Sequence, residues 1–139
     1  MPANTIPIFI LTPETTSATI SAANTARDGS GTLVPVFTGG TFGSRVDFIT
    51  FFNAQTTATT SSAMVARVFV TDTAGLNPRL LNEVTLASVA ASNTVVGANN
   101  TIFYSNGLLL SSGQQIQVSK SVHAGQQDTV QVIVRGGDY

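Results

Sequence analysis

The sequence predicts an all-β fold, an antiparallel β-sandwich wound jelly-roll-like from about eight strands, and three observations predict it. Helical periodicity is close to absent; the best candidate, residues 87–92, is short and rich in hydroxyl side chains. Short β-branched and aromatic runs recur along the chain, separated by clusters of Gly, Asn, Asp and Ser. The length, 139 residues without a cysteine, suits one domain that needs neither disulfide nor metal to hold its core. Eight turn-punctuated strands with several long connections favour a jelly roll, with an immunoglobulin-like sandwich as the alternative.

The elements follow in order. Residues 6–11 form an extended entry closed by Pro13, so residues 1–14 are expected to be an N-terminal arm and residues 15–139 the sandwich. Residues 16–21 make a short polar strand. Residues 24–31 are turn-rich, with Asp28-Gly29 a favoured tight-turn pair. Residues 32–38 read as a strand in which Pro35, lacking an N–H, marks an edge or a bulge. Residues 39–43 are a glycine-rich loop. The stretches Ser44–Asn53 and 63–72 alternate most clearly, and the polar run 55–62 between them reads as an exposed loop. Arg79–Leu86 follows as a strand after Asn77-Pro78. Residues 101–111 make one bent strand interrupted by Asn106-Gly107, and residues 114–122 and 129–135 complete the set. No internal repeat of fixed period is present.

Period-two alternation sorts the two clearest strands into faces. With Val46, Phe48 and Phe52 turned to the core, Ile49 and Phe51 fall on the outer face. With Met64, Ala66, Val68 and Val70 inside, Val65, Arg67 and Phe69 fall outside. Apolar groups on an outer face mark a contact patch. The expected partner interface is therefore Arg45, Ile49, Phe51, Val65, Arg67 and Phe69. The competing reading is that both faces are covered within the molecule.

Composition narrows the function. Six Lys and Arg against seven Asp and Glu give a net charge of -1, with no basic cluster for phosphates, so no nucleic-acid partner is expected. Only 9% of the residues are charged, and about a quarter are Ser or Thr. A surface so neutral suits an assembly better than a lone protein. No apolar run approaches a membrane-spanning length, so no membrane partner is expected, and the start lacks the basic flank of a signal peptide. Synthesis in the cytoplasm follows as the expectation. The one histidine, His123, stands without a Gly-x-Ser-x-Gly elbow and reads as a loop or interface residue, not a general base. A single imidazole is too few nitrogen ligands for zinc. Seven scattered carboxylates leave a structural Ca²⁺ open but unsupported. No catalytic residue and no cofactor are expected, and the chain reads as a non-enzyme.

Several motifs carry a resemblance. They are Asn24-Thr25-Ala26-Arg27-Asp28-Gly29-Ser30-Gly31, Val36-Phe37-Thr38, Gly43-Ser44-Arg45-Val46-Asp47, Met64-Val65-x-Arg67-x-Phe69-x-x-Asp72, Glu83-Val84, Ser121-x-His123 and Gly136-Gly137-Asp138-Tyr139. Together they span most of the chain from Ser21 onward, and the chain resembles a family of short tailed-bacteriophage virion proteins. The resemblance implies a β-sandwich on the capsid exterior, a decoration or cement protein. Its implied partners are the phage major capsid protein and copies of itself, with a trimer the usual state. Residues 55–62 and 93–100 match no motif. The rival reading is a tail or fibre module that binds host-surface glycan.

Overall fold

The computed structural model describes residues 9–55, 60–122 and 128–139. Its strands are β1 (Thr12–Ile20), β2 (Val34–Thr38), β3 (Ser44–Asn53), β4 (Met64–Thr73), β5 (Arg79–Leu86), β6 (Asn99–Leu110), β7 (Gln114–Lys120) and β8 (Val130–Asp138). They form two four-stranded antiparallel sheets, in the orders β1-β8-β3-β6 and β2-β7-β4-β5. First pairs with last, second with seventh, third with sixth and fourth with fifth. That nesting describes a long antiparallel ribbon folded over so that its successive rungs alternate between two sheets, which is a jelly roll. The sequence-predicted strand β1 starts earlier than expected, at Thr12, and pairs with β8 along its whole length. Leu11 extends the ladder, its N–H donating to Asp138 O at 2.9 Å. Residues 12–14 of the expected arm are therefore strand, and residues 1–8 lie outside the described residues.

The core sits where the two inner faces meet. Ile49, Phe51 and Asn53 of β3 stand beside Val134, Val132 and Val130 of β8. From the other sheet come Met64, Ala66 and Val68 of β4 with Ile116 and Val118 of β7. β2 holds the edge that Pro35 foretells, and its register shifts between Pro35 and Phe37. Residues 87–98 contain no helix.

The two ends of the sandwich differ. Odd strands run opposite to even ones, so the long connections 21–33, 54–63, 87–98 and 121–129 gather at one end. The short ones, 39–43, 74–78 and 111–113, gather at the other, with both ends of the described chain.

Candidate interaction surface

The register of β3 decides which surface the molecule presents. Pairing with β8 shifts between Val46 and Phe48, leaving Asp47 as the extra residue of a β-bulge, while on the other side residues 104–107 of β6 lie opposite Asp47. One inserted residue reverses the phase of everything beyond it. Val46 points inward as expected, but after the bulge Ile49 and Phe51 turn to the core, each fully buried, while Phe52 is exposed. The expected outward placement of Ile49 and Phe51 is thus corrected: neither has surface to offer a partner.

On β4 the alternation holds, with Met64, Ala66 and Val68 in the core and Val70 packed against it. What differs is the cover on its outer side. Arg67 Nη1 donates to Asn24 O at 3.1 Å, Arg27 and Arg67 both pair with Glu83, and Gly29 lies against Pro78. The connection 21–33 therefore crosses this face, touching it on either side of Phe69, which pairs with Leu80. Phe69 is fully buried and Arg67 almost so, which corrects their placement as exposed contacts. Val65 is half-buried. Of the six expected residues only Arg45 and Val65 keep part of their surface, and the Arg45 guanidinium is paired with Asp47 at 2.8 Å.

The same loop explains several of the motifs. Asn24 is buried; its amide donates to Ser30 O and Thr32 O, both at 2.9 Å, and its Oδ1 accepts from Ala26 N–H at 2.9 Å. Gly31 adopts φ +76°, and a side chain there would press on the Asn24 amide. Hydrogen bonds from Ser30 hold the Asp28 carboxyl below its ordinary value, and the Arg67 hydrogen bond does the same for Glu83. At the opposite end Asp138 accepts from Ser44 Oγ, which in turn accepts from Gly40 N–H at 2.8 Å. These motif residues lock loops onto the sandwich.

One exposed apolar surface lies on the outer face of β1-β8-β3-β6. Across that sheet Leu109 stands beside Arg45, Phe103 beside Phe48 and Arg135, Thr101 beside Thr50 and Ile133, and Asn99 beside Phe52 and Gln131. Phe103 is 76% exposed and Leu109 65%. The Phe48 and Phe103 rings tilt together with centroids 5.9 Å apart, and Thr50 and Thr101 share a hydroxyl hydrogen bond at 2.9 Å. Arg135 has no ion-pair partner among the described residues. Beyond β8, Ser17, Thr19, Gln131 and Ile133 line a depression of about 300 Å³ without a charged group. A second hollow, about 460 Å³, opens at the short-turn end between Phe42, Leu109 and Tyr139. Leu109 belongs to both this hollow and the β6 face, so the apolar surface is continuous. Alternation in the sequence turned Phe48 and Phe52 to the core and did not single out Phe103 or Leu109. The visible signal was β6 itself, a strand without one charged residue.

Chemistry is otherwise sparse. Among the described residues no three of His, Cys, Asp and Glu come together to hold a metal ion, so the Ca²⁺ left open by the sequence finds no carboxylate set there. His123 lies outside the described residues. Burial pushes the Tyr104 phenol up to about 12, and its hydroxyl donates to Asn82 Oδ1 at 2.8 Å. Lys120 is fully buried and donates to Asp128 O. Burial draws its ammonium below the usual lysine range, and the Asp128 charge opposes that shift.

Fold and surface together define a class: a jelly-roll module with no catalytic constellation among its described residues. No family model and no curated protein matches the chain. Among solved structures it is similar to Eiger TNF from S. frugiperda, 11% identical, with a TM-score of 0.45 over 94% of this chain and 96% of that one. It is also similar to the infectious bursal disease virus Gx strain structure, 15% identical, with a TM-score of 0.34 over 98% of this chain and 35% of that one. The assignment of the fold rests on the strand order.

Proposed function

We propose that this chain is a structural protein of a virus particle, and specifically a decoration protein on the outside of a tailed-bacteriophage head. The virion-protein motifs and the scarcity of charge support the reading. The observation that carries it is the aromatic face of β1-β8-β3-β6, with Phe103 76% exposed beside Phe48. Such a face is buried at little desolvation cost when it meets a shell or a second copy. In this reading the partners are the major capsid protein and copies of this chain, and stability of the shell is what it supplies. Cosedimentation with heads stripped of the protein tests it: binding should saturate at a fixed, capsid-scale copy number. Saturation at a tail-scale number would overturn the decoration role.

A second reading has its own observation. The depression between β1 and β8 is lined by the hydroxyls of Ser17 and Thr19 and the amide of Gln131, a polar set suited to a saccharide. A tail or fibre module would bind a host-surface glycan there, and Gln131→Ala would abolish the signal on a glycan array. No binding by the unaltered protein would end this alternative.

A further inference from the structure

We propose that β6 is a self-pairing edge, through which two copies of this chain join antiparallel into one continuous eight-stranded sheet. The inference goes beyond shell binding and concerns the chain alone.

The two sheets end in four edge strands, β1, β6, β2 and β5. An exposed edge offers unpaired N–H and C=O groups, and proteins that stay apart blunt it with charge, proline or a short span. β1 carries Pro13 and Glu14; β2 is five residues long and carries Pro35; β5 carries Arg79 and Glu83. β6 is the exception. Its twelve residues, Asn99–Leu110, include no Asp, Glu, Lys, Arg or Pro. Its backbone pairs with β3 on one side only. The stretch from Asn99 to Phe103 pairs regularly with β3, before the irregularity near Gly107 bends the strand.

The absence of charge also identifies the occupant. When a strand pairs antiparallel with its own copy, a charged residue near the twofold axis meets its like-charged mate, which destabilises the pair. β6 sets no such penalty in any register. Twofold pairing would also join two copies of the Phe48–Phe103 cluster along one outer face, burying the most exposed aromatic of the sheet. The outcome is a pair, in place of the trimer that the resemblance implies.

Sedimentation velocity of the full chain across a concentration series tests this. The unaltered protein should sediment as a dimer that dissociates on dilution. Phe103→Lys puts like charges across the axis on an exposed position and should weaken association about tenfold or more. Leu80→Lys, on the β5 edge, should leave the dimer intact; circular dichroism melts confirm that both variants fold. A monomer at every concentration, a trimer, or a dimer indifferent to Phe103→Lys would each overturn the proposal.

Discussion

At the scale of single residues the fold depends on a few polar side chains that each hold a loop. Asn24 is the clearest, since its amide holds the 24–32 connection through three hydrogen bonds. Asn24→Ala leaves two carbonyls and an N–H without those partners and should lower unfolding stability by about 2 kcal/mol in a denaturant titration. Asn24→Asp should be no milder, because it keeps the acceptor for Ala26 but sets a carboxylate oxygen against the Ser30 and Thr32 carbonyls. Glu83 gives a pH signature. Its folded-state value lies below the ordinary 4.5, chiefly through the hydrogen bond from Arg67, so the unfolded chain takes up its proton first on acidification. The contribution is fully present above about 4.5 and is lost as pH falls through the folded value. Glu83→Gln should therefore be less stable than the unaltered protein at pH 7, with the gap closing toward acid pH in parallel melts. None of this partnership was visible in the sequence. Arg27, Arg67 and Glu83 fall in three separate motifs, and nothing in their spacing says that a loop carries Arg27 across the sheet to the other two.

At the scale of elements the strands were legible and their facing was only partly so. Alternation on β4 named its core face correctly, because its outer side carries an arginine that breaks the apolar run. On β3 both faces are apolar from Phe48 to Phe52, so period two gives no preference, and the bulge at Asp47 settles the matter through pairing with β8. Neighbouring phenylalanines make the test. Phe51→Ala empties a fully buried site and should cost about 3–5 kcal/mol. Phe52→Ala removes a side chain that is 38% exposed and should cost less, by at least about 1 kcal/mol. Equal losses, or the reverse order, would place the bulge elsewhere. Pro35 and Asn106-Gly107 were better guides: each marked a real irregularity, since proline cannot donate to a ladder and Gly107 adopts φ +72°.

At the scale of the whole molecule, the long-loop end is tied together by buried polar groups. Ser61 exchanges hydrogen bonds with Ser88 and Val89, joining the 54–63 connection to the 87–98 one. Ser62 donates to both oxygens of Asp128, at 2.7 and 3.2 Å, and Lys120 reaches Asp128 O from the opposite sheet. Asn24 N–H donates to Lys120 O at 2.8 Å, which brings in the first connection. One lysine and one aspartate thus sit where four loops converge, and sequence alone gave no hint of it because the partners are scattered along the chain. A buried ammonium is tolerated while an anion lies close; removing the anion leaves the charge stranded. Asp128→Ala keeps the backbone oxygen that Lys120 reaches but removes the favourable charge and orphans the Ser62 N–H, and should cost about 2 kcal/mol. Replacing the lysine as well, in Asp128→Ala/Lys120→Met, removes the stranded charge and should recover at least about 1 kcal/mol of that loss. Additive losses in the double variant would mean that the two side chains act independently. The pH dependence supplies a separate check. Because the folded-state value of Lys120 lies below its ordinary 10.5, the unfolded chain holds more protons in the interval between them, and this group makes the fold gain stability as pH rises through it. Lys120→Met should abolish that gain in alkaline melts, while Tyr104, whose folded value of about 12 exceeds its ordinary 10.0, goes on lowering stability as pH climbs from 10 to 12.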